Sequence, residues 1–308
     1  MKAVVRLTWA TGGFELKFLF AGSLLLAAAS FALAILLNAN APGPSCVANS
    51  TTPNCDTAFF YQMGSLGSQL IIAMGALPIA VGGVLGSELF AREIERATVQ
   101  LPWSLASSRT RWLAERVLIL LVLVVLVVVV PAVTTTILEG SINPGVAATD
   151  TLVDFGFRGV SVVARAIAVF AAATLIGLTI GRALPALLLS LVAALIIVAA
   201  VPFLALATQP TEFIAQLGDP RVRYGLVRDE RYQDPAGTLF TIDAVTAKVP
   251  PDAGDPTTWI EENFRQVAVG VRGERYWDTE VASTLMLAAV SLASLGAAAV
   301  LVARRRPY

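Results

Sequence analysis

At 308 residues the chain is 56% hydrophobic and only 14% charged, with no net formal charge and no histidine. Soluble domains carry about 25% charged residues, so roughly half the charge of a water-facing surface is missing. A neutral chain lacks the basic footprint of a nucleic-acid binder. Without histidine, and with two cysteines, it has neither the commonest general base nor the ligands for a zinc or iron site.

Residues Val4 to Glu15 mix Val4, Leu7, Trp9 and Phe14 with a few charges. That pattern suits a short interfacial helix on the inner leaflet, the alternative being a frayed tail. Crossing a bilayer takes around 20 mostly apolar residues. Six stretches qualify, at about 18–37, 66–86, 117–138, 160–180, 186–207 and 281–303. The first has too long an apolar core for a cleaved signal peptide and no small-residue cleavage site after it.

Cys46 and Cys55 fall together in the first loop, separated by a Ser-, Thr-, Asn- and Pro-rich segment. On an oxidising side of the membrane a bridge between them persists and would close a small loop worth roughly 2–3 kcal/mol. A disulfide is the expectation, with two free thiols as the alternative.

The loop after the second stretch predicts a helix over about 88–103. Phe90, Ile94, Ala97 and Leu101 form one apolar stripe, Arg92, Glu93, Glu95 and Arg96 lie opposite, and Pro102 stops the helix. Such a stripe either packs on the chain's own bundle or docks a soluble partner. The run Ala91-Arg92-Glu93-Ile94-Glu95-Arg96-Ala97-Thr98-Val99-Gln100-Leu101-Pro102-Trp103-Ser104, continued by Ser107-Ser108-Arg109-Thr110-Arg111-Trp112-Leu113, resembles the signature of type-2 ATP-binding-cassette (ABC) exporter permeases, most closely the actinobacterial ones. Ala97 departs from it, since the family usually has glycine there.

The resemblance implies that this loop is a coupling helix seated in a groove of a separate nucleotide-binding subunit. Docking then falls to Arg92, Glu93, Ile94, Thr98 and Arg109, with Arg109 and Arg111 able to serve inner-leaflet headgroups equally well. It also implies a second permease chain, as a homodimer. ATP and Mg would sit on the partner ATPase, with no cofactor on this chain. No G-x-x-x-x-G-K-[ST] phosphate-binding loop occurs in the sequence, so ATP hydrolysis is expected only from that partner.

Gly181-Arg182-Ala183-Leu184-Pro185 predicts a tight turn between the fourth and fifth spans, because proline ends a helix at the preceding residue. Gly82 with Gly86, and Gly177 with Gly181, have the small-residue spacing of closely packed membrane helices. Arg165 is expected near the outer interface, snorkelling to headgroups, in an interior otherwise free of Asp, Glu and Lys. That interior argues against a proton-coupled carrier.

Residues 208–280 read as a small extracytoplasmic domain. In it Asp255-Pro256 opens a helix whose buried face is Trp259, Ile260, Phe264 and Val267, and Tyr276 and Trp277 suit the headgroup region. Lys and Arg crowd the N-terminus, the 86–116 loop, Arg182 and the C-terminal Arg304, Arg305 and Arg306, which places both termini in the cytoplasm of a multi-pass plasma-membrane protein.

The expected architecture is therefore an all-α membrane protein of six transmembrane helices. Residues 1–207 carry the interfacial helix, five spans and the coupling helix; 208–280 form the outer domain; 281–308 hold the last span and tail. The expected function is the permease subunit of an ABC transporter exporting a hydrophobic or amphipathic compound. A non-transporting anchor or sensor with an outer ligand-binding domain is the alternative. A membrane enzyme is disfavoured by the absence of a catalytic constellation.

Overall fold

The structure, a computed structural model, describes residues 2–41, 58–96, 108–144 and 146–304. Six helical segments are long and apolar enough to cross a membrane: Gly13–Ala39, Ala58–Glu95, Thr110–Ile142, Val160–Ile180, Ala183–Ala207 and Gly273–Arg304. They belong to helices α1 (Lys2–Ala39), α2 (Ala58–Met74), α3 (Ala76–Glu95), α4 (Arg109–Ile142), α5 (Val160–Ile180), α6 (Ala183–Ala207) and α10 (Tyr276–Arg304). The stretch preceding the first span is not a separate element, because α1 runs unbroken from Lys2. The second span is two helices meeting at Gly75, where the Phe157 ring occupies the space a Cβ would need.

Helix α5 lies at the centre, against α3, α4, α6 and α10. Its contact with α3 is backbone to backbone: a Cβ on Gly86 would lie 2.5 Å from the Phe170 carbonyl, and one on Gly177 would lie 2.7 Å from the Ser87 carbonyl. The glycine spacing read from sequence thus does mark close packing. Gly181 plays another part, ending α5 in the left-handed conformation at φ 65°, before Arg182 and the first turn of α6. Around α5 the core is aliphatic and aromatic, with Leu85, Phe90, Leu120, Val124, Phe170 and Leu178 all buried. Leu188, Leu195, Ile196 and Phe203 of α6 remain exposed, an apolar surface of the kind lipid covers.

Pro131 sits inside α4. It has no N–H to give the carbonyl four residues back, which is that of Val127. Ser23 of α1, itself buried, donates its hydroxyl to that Val127 oxygen. Nearby, Thr135 donates to the Pro131 carbonyl at 2.9 Å and Thr136 to that of Ala132 at 2.8 Å.

Between α6 and α10 the chain is not helical throughout, which corrects the all-α expectation. Strands β1 (Phe213–Gln216), β2 (Leu226–Gln233), β3 (Leu239–Phe240) and β4 (Arg265–Val271) form an antiparallel sheet in the order β1-β4-β2-β3. Short helices α7 (Pro220–Tyr224), α8 (Ile242–Thr246) and α9 (Pro256–Asn263) connect them. Helix α9 opens as expected: Asp255 accepts from the Thr257 and Thr258 N–H groups, with Pro256 in the first turn. It stops at Asn263, however. Phe264 is its C-cap and Val267 belongs to β4, because pairing with β1 and β2 on both sides overrides the helical spacing. A register shift between Val227 and Asp229 frees Arg228 from the ladder. Its guanidinium donates to the Leu206 and Gln209 carbonyls, capping α6 and fastening the sheet to the bundle.

The Ser23–Val127 bond yields a test. Ser23→Ala leaves a buried carbonyl unpaired and should cost about 1–3 kcal/mol in detergent unfolding. Adding Pro131→Ala restores the intrahelical donor, so the double variant should recover most of that loss. A double variant as weak as the single one would remove the assigned role of Ser23.

Candidate functional site

The end of α3 enters the segment singled out in the sequence, and three residues within one turn there reach three different helices. Arg92 Nη1 donates to Glu15 Oε1 of α1 at 2.8 Å. Glu93 forms an ion pair with Arg116 of α4, whose side chain is 1% exposed. Glu95 Oε2 accepts from the Ala183 N–H at 2.9 Å, at the start of α6, where unpaired N–H groups favour a carboxylate. Trp112 helps hold Arg116 in place, with the guanidinium 6.0 Å from its ring, and meets Phe90 edge to face at 6.2 Å. The apolar stripe faces inward where it is described: Phe90 is buried, and Ile94 packs on the same core.

Of the residues expected to dock a partner, Arg92, Glu93 and Ile94 are thus brought together, with contacts to the chain's own helices. Thr98 lies outside the described residues, as do Ala97, Leu101 and both Cys46 and Cys55. Arg109 is the first residue of α4, which Ser108 caps by accepting from the Arg111 N–H at 3.1 Å.

The opposite end of the bundle, beside the sheet, holds a second charged cluster. Glu139 of α4, Arg158 before α5, Arg165 of α5 and Glu280 of α10 are each no more than 2% exposed. Arg158 donates to the carbonyls of Ala148, Thr151 and Val153 and lies 4.7 Å from the centre of the Tyr276 ring. Arg165 donates to the Gly156 carbonyl, and Gly156, at φ 91°, leaves room for its guanidinium. Glu280 Oε1 accepts from the Ser161 N–H at 2.6 Å, so a carboxylate of α10 covers the N-terminus of α5. Glu139 Oε1 accepts from Asn143 at 3.1 Å.

Three expectations are corrected here. Arg165 turns into the bundle instead of snorkelling, because the Gly156 carbonyl accepts from its guanidinium inside. Tyr276 is buried beneath Arg158 and against Phe155, leaving Trp277 alone exposed. Glu139 and Glu280, taken from the sequence as loop residues, belong to α4 and α10, so the helix ends do contain buried carboxylates. Sequence reading singled out Arg165 but missed its neighbours, because Glu139, Arg158 and Glu280 sit where an apolar run meets a loop. Among the described residues no group of three His, Cys, Asp or Glu side chains is arranged to hold a metal.

These features define a multi-pass membrane protein whose helix bundle is braced by buried charge at both ends. The family model described as "ABC-2 membrane transporter related" matches residues 16–205, and the chain belongs to that family. It is accordingly an ABC-2 type permease, a membrane component of a class that typically works with an ATPase subunit. No curated protein and no solved structure matches the chain. The family match runs from α1 into the last turn of α6 and ends before the sheet.

Two outcomes follow. Arg116→Met strands the Glu93 carboxylate in a largely apolar setting and should destabilise the protein by about 3–5 kcal/mol, much of it recovered when Glu93→Gln is added; a double variant no better than Arg116→Met would show that Arg116 acts through other contacts. Asp154, in the loop before α5, has its carboxyl pushed up by burial, against the pull of Arg158. The folded state then binds that proton more tightly than the unfolded one, so stability is lost as pH rises through the ordinary carboxylate range to the raised value. Asp154→Asn removes this penalty and suits the residue's φ of 53°. Its unfolding midpoint should exceed wild type at neutral pH, with the advantage gone below about pH 4.

Proposed function

We propose that the chain is the transmembrane subunit of an ABC exporter, moving a hydrophobic or amphipathic compound with ATP hydrolysed by a separate nucleotide-binding subunit. The observation that carries this reading is the bracing of α3: Arg92, Glu93 and Glu95 tie its end to α1, α4 and α6 within four residues. A segment pulled by a partner at this point would move four helices together.

In this reading residues 88–103 couple the ATPase to the spans, and this end of the bundle is cytoplasmic together with both termini. Arg92, Glu93 and Ile94 act as the inner anchor of the docking segment, Thr98 and Arg109 meeting the ATPase. Membrane lipid or a second copy of the chain, as a homodimer, covers the apolar face of α6. The sheet lies on the far side of the membrane, with Cys46 and Cys55 bridged in the first loop. The anchor-or-sensor reading draws on one feature, an acidic cleft of about 610 Å³ in the sheet domain lined by Asp234, Glu261, Glu262 and Arg265 among others.

The test is reconstitution with the ATPase that copurifies with the chain. Glu93→Gln combined with Arg116→Met, which removes the pair together, should leave the complex assembled and lower stimulation of ATP hydrolysis by the permease about 5–150-fold, the span of ordinary coupling energies. Unchanged stimulation, or the absence of any bound ATPase, would count against the exporter reading and for the sensor.

A further inference from the structure

The sheet domain holds a lysine that is seated on rings instead of carboxylates. Lys248, just after α8, places its Nζ 3.4 Å from the centre of the Phe240 ring and 5.8 Å from that of Phe264. Phe264 in turn meets Phe240 edge to face at 5.8 Å and Trp259 at 5.9 Å, so the two rings that hold the ammonium are continuous with a third. Lys248 is otherwise exposed. Among the described residues it forms no ion pair, although the domain is rich in Asp and Glu.

Phe264 also lines the cleft of about 610 Å³, together with Asp234, Glu261, Glu262 and Arg265. Three carboxylates there outnumber one guanidinium. Among the described residues no three acidic side chains are arranged to hold a metal, so the excess charge suits a diffuse organic cation better than a compact ion. Strand β2 sets the distance from the bilayer. It starts at Leu226, which packs on the same cluster as Leu206 of α6, and ends at Gln233, which lines the cleft. At about 3.4 Å per residue those ends are some 20–25 Å apart, which puts the cleft beyond the reach of lipid headgroups.

We propose that the Phe240–Phe264 seat and the adjoining cleft bind an organic cation with an alkylated ammonium group, taken from solution, and that Lys248 is its internal stand-in. The face of an aromatic ring attracts a cation, and alkylated ammonium groups are the ligands such ring clusters recognise. The incoming group takes the place of the Lys248 ammonium, which returns to water on its flexible stem. Asp234, Glu261 and Glu262 supply the field that draws the cation to the seat. This site goes beyond the exporter reading and does not depend on it.

The experiment uses the full chain without ATPase, in nanodiscs of phosphatidylglycerol and phosphatidylethanolamine, which carry no alkylated ammonium. The probe is tetramethylammonium, its dissociation constant read by ligand-observed NMR. Lys248→Met removes the stand-in and should tighten binding about three- to six-fold, because a seat filled by its own lysine lowers the apparent affinity by the filled fraction. Phe240→Leu should weaken binding about five-fold or more. Glu261→Gln with Glu262→Gln should weaken it at low salt and flatten its salt dependence. A gain of affinity cannot come from a misfolded domain, so Lys248→Met decides: no saturable binding, or a variant no tighter than wild type, overturns the proposal. Competition by tert-butanol, close to the probe in shape but uncharged, would also overturn it by showing a merely apolar pocket. Phosphatidylcholine added to the nanodiscs should leave binding unchanged; competition from it would make the ligand a lipid headgroup and overturn the assignment to a free solute. Each of these outcomes is read without ATP, so failure here leaves the exporter reading standing.

Discussion

The Val127 carbonyl carries in miniature the constraint that shapes this bundle. Inside a bilayer no water is at hand, so each backbone group that leaves its helical partner must find another within the protein. Pro131 breaks the ladder in α4, and the hydroxyl of Ser23 in α1 repairs it. That repair fixes how α1 lies on α4. It also brings Glu15 of the same helix into reach of Arg92 at the end of α3. A helix break that would be a local fault in water thus becomes an inter-helix joint in lipid.

The same reasoning applies to charge. Isolated ions in hydrocarbon are costly, and this chain gathers its buried ions at the two ends of the bundle, leaving the middle aliphatic. Helix α5 joins the two clusters. Its glycine-lined contact with α3 has no flexible side chain between the backbones to absorb displacement. From Gly177 to Arg165 it spans about 18 Å at 1.5 Å per residue. A displacement of the α3 end would reach, through this pair of helices, the end where Glu280 covers the N-terminus of α5.

Much of the frame was legible in sequence because bilayer thickness sets a length and small residues set a packing distance. The fourth span, the turn at Gly181 to Pro185 and the helix opening at Asp255-Pro256 all follow from local rules. What stayed hidden depends on residues far apart in the chain. Ser23 and Val127 are 104 positions apart, and Ser161 and Glu280 are 119 apart. No periodicity signals such pairs. Arg165 was misread for a related reason: alone, an arginine near a helix end belongs with headgroups, and only the Gly156 carbonyl in the preceding loop gives it reason to turn inward. The strands escaped notice because β1 has four residues and β3 two, and the longer β2 and β4 do not alternate buried with exposed positions.

The extent of the family match separates what this chain shares from what it adds. Residues 16–205 include the braced end of α3 and, of the second cluster, Glu139, Arg158 and Arg165. Glu280 on α10 and the sheet that precedes it lie beyond the match. A shared bundle is thus completed at one end by a part outside the match, and that part supplies the Glu280 carboxylate that covers the N-terminus of α5. The sheet end, where Glu280 covers α5, is therefore built from parts on both sides of the boundary of the match, while the braced end of α3 lies wholly within it.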